Sequence, residues 1–211
     1  RRTARGHLGP TSRAAYTDVT VVNYVHENFT LGSQGTWSSL TYLNAPTDTA
    51  WRAPAPGGWD EWAAIYERCI VLGATYKVEV RNANSPGSGV ARNPVPFQAS
   101  LSPLGPTIPL TVDAVIQRGM TMWGNGGMVH WDRPLSLKGT VPLYRYFGVS
   151  RREYLQSEQY SMSSTVASLP AASCILVLSM TNPDTDASFM NVICKCSFKV
   201  RFFGLRNLVD A

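Results

Sequence analysis

The residues that could do chemistry in this chain are few and badly spaced for it. His7, His26 and His130 are its three histidines, and none falls in an HExxH-type pattern that would set two imidazoles on one helix face. The sequence contains neither a GxSxG nucleophile elbow nor a P-loop. Gly124-Asn125-Gly126-Gly127 is glycine-rich but lacks the Gly-Lys-Ser/Thr ending that brings a lysine to a phosphate, so it reads as a hairpin turn. Cys194-x-Cys196 does not have the CxxC spacing of a zinc site, and on a strand both thiols point into one face. With Cys69 and Cys174 they read as small core hydrophobes rather than a disulfide framework. Asp184 and Asp186 flank a turn, but a hard-cation site needs about six oxygen ligands. The expectation is therefore a non-enzyme with no metal and no cofactor.

The cations carry more information. Arg1, Arg2, Arg5 and Arg13 stand in the first 13 residues with no acid among them. The whole chain has 19 Lys and Arg against 14 Asp and Glu, a net charge of +5, so without those four arginines it is nearly neutral. Residues 1–17 therefore read as a basic N-terminal arm ahead of a single domain over 18–211. Arginines in such an arm would contact phosphates without reading sequence, with steep salt dependence. The bland alternative is a short disordered tail or the remnant of a targeting signal. The chain opens on Arg1 rather than Met, which leaves room for an upstream stretch. A second cation group, Lys195, Lys199 and Arg201, recurs with period two near the C-terminus and would form a basic stripe on one face of a strand. Alone, such a stripe is usually a solvated face; beside a basic arm it reads as a nucleic-acid contact.

The elements that position these residues are mostly strands. The 17 Gly and 14 Pro recur throughout the chain, separating short runs rich in Val, Ile, Thr, Tyr and Phe, which implies a sandwich or barrel. Strands are expected at Asp18 to His26, Cys69 to Asn82, Pro96 to Leu101, Met128 to Lys138 and Pro142 to Phe147. Ser173 to Thr181 is nearly all apolar and should be buried on both faces. Ser188 to Phe203 should be two-faced: Met190, Val192, Cys194, Cys196, Phe198, Val200 and Phe202 inward, Asn191, Lys195, Ser197, Lys199 and Arg201 outward. Trp59, Trp62, Ala63 and Tyr66 have the i, i+3, i+4, i+7 spacing of a short amphipathic helix that must dock on something large. Thr111 to Gly119 reads as another short helix. Ser150 with Glu153 has the capping-box pattern of a third.

Charged residues make up only 16% of the chain, against roughly 25% in an average domain. With six Trp and nine Tyr, such a surface suits coverage by copies of the same chain, because interface centres are poor in charge and rich in aromatics. A monomer with a mildly polar surface is the alternative. No window of 18 apolar residues exists, so no transmembrane helix and no membrane partner are expected. No secretory signal is visible, and the sequon Asn28-Phe29-Thr30 stands alone.

One segment, Trp59-Asp60-Glu61-Trp62-Ala63-Ala64-Ile65-Tyr66-Glu67-Arg68-Cys69-Ile70-Val71-Leu72-Gly73, resembles a stretch of the capsid proteins of circovirus-like viruses, which carry circular single-stranded DNA and encode a Rep protein. There a short helix runs directly into a long strand. Leu143-Tyr144-Arg145-Tyr146-Phe147-Gly148-Val149-Ser150 is similar to that family's tyrosine-rich run, and the basic last strand ending Phe202-Phe203-Gly204-Leu205 is similar too. The likeness covers most of residues 18–205. It implies an all-β, eight-stranded viral jelly-roll sandwich with short helices in its loops. It also implies a virion protein of a 60-subunit, T=1 icosahedral homo-oligomer, with the basic arm inward on single-stranded DNA and assembly in the host nucleus. Small satellite viruses with RNA genomes use a similar jelly roll, so RNA cargo stays open, as do host and attachment factor. The rival classes are a lectin-like β-sandwich binding module, monomeric or a small oligomer, and a cupin-type enzyme, for which the histidines are too few and too scattered.

Overall fold

In β9 (Ser188–Leu205) every second residue from Met190 to Phe202 is buried, and the residues between are exposed or half-buried. That alternation is what a strand needs to lay one face on a core. The computed structural model describes residues 16–47, 56–83, 93–103, 124–165 and 169–206. Within them the strands are β1 (Tyr16–Leu31), β2 (Thr36–Tyr42), β3 (Tyr66–Asn82), β4 (Val95–Ser102), β5 (Gly124–Val129), β6 (Leu135–Pro142), β7 (Ser161–Ser163), β8 (Ile175–Thr181) and β9. One sheet runs β1-β9-β3-β6, and the other β2-β8-β4-β5. All their pairings are antiparallel. These two four-stranded sheets, with the chain crossing between them, make a jelly-roll sandwich. A ninth strand, three-residue β7, pairs with β3 at Arg68 to Ile70.

The core lies between the sheets. Phe198, Phe202, Val78, Val80 and Val200 from one side meet Phe97, Leu176, Leu178 and Met180 from the other. β8, a central strand of its sheet, is buried at every position, the expected two-sided burial. The helix α1 (Trp59–Ile65) docks where its stripe requires. The rings of Trp59, Trp62 and Tyr66 stand 5.1, 6.2 and 6.2 Å from that of Phe202. Trp59 also donates its indole N–H to Ser164 O at 2.9 Å, so the large ring is buried with no orphan donor.

Three expectations need correction. Met128 to Lys138 is not one strand. It breaks at 130–134, through Asp132-Arg133-Pro134, because β5 and β6 belong to different sheets and the chain must turn the corner between them. Gly124 to Gly127 is not a hairpin turn but most of β5, paired with Phe97 to Ser100 of β4. Glycine suits that strand because Leu135 lies over it: a Cβ on Gly127 would meet Leu135 Cδ1 at 2.8 Å. Pro142 to Phe147 is not a strand either. β6 ends at Pro142, and α2 (Leu143–Tyr146) follows. A Schellman closure stops it: Val149 N–H donates to Tyr144 O at 3.0 Å and Gly148 N–H to Arg145 O at 3.1 Å. Gly148 sits at φ 70°, the left-handed conformation that closure requires. The aromatic content that suggested a strand instead builds a ring cluster, Phe147 with Tyr154 and Tyr160. The helix expected at Thr111 to Gly119 lies outside the described residues.

The cap of α3 (Arg151–Gln156) is as expected, with Ser150 Oγ accepting from Glu153 N–H at 3.1 Å. Ser150→Ala is expected to cost about 1 kcal/mol, read as a fall of about 3 °C in the thermal midpoint. An unchanged midpoint would show that the cap is idle.

Candidate nucleic-acid interface

Nothing in the described residues resembles a reactive thiol site. All four cysteines are reduced and buried. Burial pushes the Cys69 thiol up to about 12, so it stays protonated and inert at neutral pH. Asp184 is engaged as a brace: its two carboxylate oxygens accept from the backbone and side-chain N–H groups of Asn93 at 3.1 and 2.6 Å. The sequon residue Asn28 lies inside β1, where its carboxamide oxygen accepts from Asn191 Nδ2 at 2.6 Å. Asn191 also donates to His26 Nε2, at 2.6 Å, so that imidazole nitrogen is the acceptor.

The cations are different. Antiparallel pairing aligns residues in rows across the outward face of the β1-β9-β3-β6 sheet, with neighbouring strands about 4.8 Å apart. One row reads Thr20, Lys199, Gly73, and the next Val22, Ser197, Thr75, Thr140. A third reads Tyr24, Lys195, Lys77, Lys138. All three lysines of that row are exposed, and so is Tyr24. Like charges placed directly opposite one another in a sheet are destabilising, so a triple lysine row is a feature that folding alone does not favour. The whole face carries Lys77, Arg81, Lys138, Lys195, Lys199 and Arg201 against Asp18 and Glu79, together with Arg68, which is held by Glu158 at 2.9 Å.

The three fixed cations expected from the sequence therefore have different fates. Lys195 belongs to the lysine row. Lys199 stands exposed two rows along. Arg201 is neutralised: its Nε and Nη2 donate to the two carboxylate oxygens of Asp18 at 2.6 and 2.9 Å, and its guanidinium lies 4.1 Å from the Tyr16 ring centroid. The arm residues Arg1, Arg2, Arg5 and Arg13 lie outside the described residues. Sequence reasoning missed Lys77 and Lys138. The outward direction of Lys77 was legible from the alternation of β3, but Lys138 lies on β6, and the alignment of both with Lys195 is a matter of register between strands remote in sequence. Arg81 is not a comparable free cation, since its Nε donates to Glu79 at 2.9 Å.

The Arg201 guanidinium beside Asp18 holds that carboxyl below the usual carboxylate range. The folded state binds the Asp18 proton more weakly than the unfolded chain. The pair's contribution is therefore present above the unfolded value, about 3.9, and is lost as pH falls through the folded one. The side chains are 19% and 31% exposed, so the contribution is about 1 kcal/mol or less. The larger consequence is for binding. Asp18→Asn frees Arg201 and removes a negative charge, so affinity for a single-stranded oligonucleotide is expected to rise about fivefold near 0.1 M salt. Filter binding of the two proteins checks this, and a loss of affinity would show that the pair itself is needed.

No family model and no curated protein matches the chain. Solved structures do. The structure of Cocksfoot mottle virus matches over 90% of this chain and 96% of that chain, at 9% identity and a TM-score of 0.53. A 60-mer of the BFDV capsid protein matches over 93% of this chain and 98% of that chain, at 13% identity and a TM-score of 0.49. At 9% identity the likeness to the Cocksfoot mottle virus chain is one of fold, and the fold of this chain is the viral jelly roll.

Proposed function

We propose that this chain is a viral capsid protein that self-assembles into a small icosahedral shell and packages single-stranded nucleic acid against the outward face of its β1-β9-β3-β6 sheet. The row Lys195, Lys77, Lys138 carries the reading. Three ammonium groups across about 10 Å of flat sheet repel one another until polyanionic phosphates lie over them. Lys199 extends the cationic surface, Arg201 joins it only when released from Asp18, and Arg1, Arg2, Arg5 and Arg13 of the arm add further positive charge. Ammonium groups on phosphates do not distinguish DNA from RNA, which takes contacts to the 2′-hydroxyl. Single-stranded DNA is the cargo that the circovirus-like motifs support. So are the 60-subunit T=1 geometry, the virion location and nuclear assembly. The low charge content of the chain supports burial of much of its surface against other copies.

Sedimentation and negative-stain imaging of the purified protein, with and without a single-stranded oligonucleotide, test the proposal. Closed particles that appear or multiply with the oligonucleotide are the expected result. A persistent monomer of 23.1 kDa at every salt and pH would overturn it and return the chain to the class of β-sandwich binding modules.

A further inference from the structure

Where β3 bulges, the cationic face stops being flat. The register between β3 and β9 shifts between Val71 and Gly73. The bulge is held by Tyr154, whose buried hydroxyl donates to Val71 O at 2.7 Å. Beside it opens a recess of about 470 Å³, a volume in the range of small-molecule sites. Part of the reason it stays open is Gly73, which stands opposite Lys199 with no side chain; a Cβ there would sit 3.1 Å from Val141 O. Bulges of this kind recur beside binding sites because they re-aim side chains out of the pleat.

The lining has two characters. Leu72, Pro142 and Leu155 give it an apolar part. Lys199 and Arg151 contribute two exposed cations, and among the described residues neither forms an ion pair. Hydroxyls lie between: Thr75 and Thr140 face each other across the strands with their oxygens 3.2 Å apart, and Ser197 joins them from β9. An apolar surface alone would accept any greasy group, and two cations alone any anion. Side by side in one recess they select a molecule with a flat ring and a phosphate.

We propose that this recess is a pocket for one nucleotide, with the base against Leu72, Pro142 and Leu155, the phosphate on Lys199 and Arg151, and the sugar or base edge among the hydroxyls. The inference rests on the packaging reading of the same face. Lys195 and Lys199 are four residues apart on β9, about 13 Å, so a strand lying on the lysine row passes close enough to deliver a base. An extruded base is available from a single strand and costly to take from a duplex, so the pocket also favours unpaired cargo.

The test uses the full chain and three probes: inorganic phosphate, thymidine and thymidine monophosphate, followed by calorimetry or by chemical shifts. The monophosphate should bind at least about tenfold more tightly than either half alone, since a charge-assisted contact and an apolar one then add. Arg151→Gln and Lys199→Gln should each weaken it about fivefold or more. Thr140→Trp puts a bulky side chain at the mouth from an exposed strand position, where an aromatic is well tolerated, and should abolish it with the thermal midpoint unchanged. Phosphate binding as tightly as the nucleotide would mean a plain anion site, and thymidine binding as tightly a plain apolar one; either overturns the pocket. So does nucleotide binding that survives Thr140→Trp. Monophosphate binding by a protein that never holds a polynucleotide would keep the pocket and sink the packaging reading instead.

Discussion

Replacing Lys77, Lys138 and Lys195 together by Gln is expected to weaken binding of a single-stranded oligonucleotide about a hundredfold near 0.1 M salt and to flatten the salt dependence by about two units of slope. Each phosphate contact on a single strand contributes about 0.7 to the slope of log affinity against log salt. Extrapolated to 1 M salt that electrostatic part vanishes, so at 0.1 M each contact is worth about 0.7 log units and three are worth about two. All three side chains are exposed, so no buried partner is orphaned by the change. The fold should survive and even gain a little stability, because like charges opposite one another cost energy. The same substitution at Arg201 should do far less to binding, since that guanidinium is already held by Asp18. A salt titration by filter binding separates the two variants. By imaging, the triple variant should form particles that are empty. Equal slopes for wild type and the triple variant would instead remove the lysine row from the interface.

That row shows where the sequence stops being readable. Much that depends on one element at a time was legible: the two faces of β9, the two-sided burial of β8, the apolar stripe of α1 and the cap at Ser150, although β2 (Thr36–Tyr42) was not expected and β1 runs past His26 to Leu31. Each follows from a local period or a local hydrogen bond. What depends on two strands remote in sequence was not. Lys77, Lys138 and Lys195 become neighbours only through the pairings of β3 with β6 and β9. Asp18 takes Arg201 out of play through the pairing of β1 with β9, 183 residues apart. Of the misread segments, one has the same cause and another a local one. Gly124 to Gly127 has the composition of a turn, yet its pairing with Phe97 to Ser100 of β4 makes it a strand. Leu143 to Phe147 has the composition of a strand, yet Gly148 closes it as a helix and its rings pack on Tyr154 and Tyr160. The recess beside Gly73 is likewise a product of register, opening where β3 and β9 slip.

The largest effect on stability is expected at Phe202, one residue from the cationic face and on the other side of the same strand. It is fully buried, and the rings of Trp59, Trp62 and Tyr66 all meet it, so it is the floor on which α1 docks. Truncating a buried Phe to Ala costs about 3–5 kcal/mol, a large share of the 5–15 kcal/mol typical of a whole domain. Phe202→Ala is therefore expected to shift the urea midpoint strongly downward and to abolish particle formation. Phe202→Leu keeps most of the apolar volume and should cost about 1–2 kcal/mol. Particles should still form from it, with a lowered thermal midpoint. The contrast with the lysine variants is the informative part. A change on the core face of β9 should remove assembly and packaging together because the subunit no longer folds. A change on the outward face should remove packaging and leave the subunit intact. A Phe202→Ala protein with an unchanged urea midpoint would mean that the α1 contact contributes nothing to the fold. The strict division of this strand into a folding face and a binding face would then have to be abandoned.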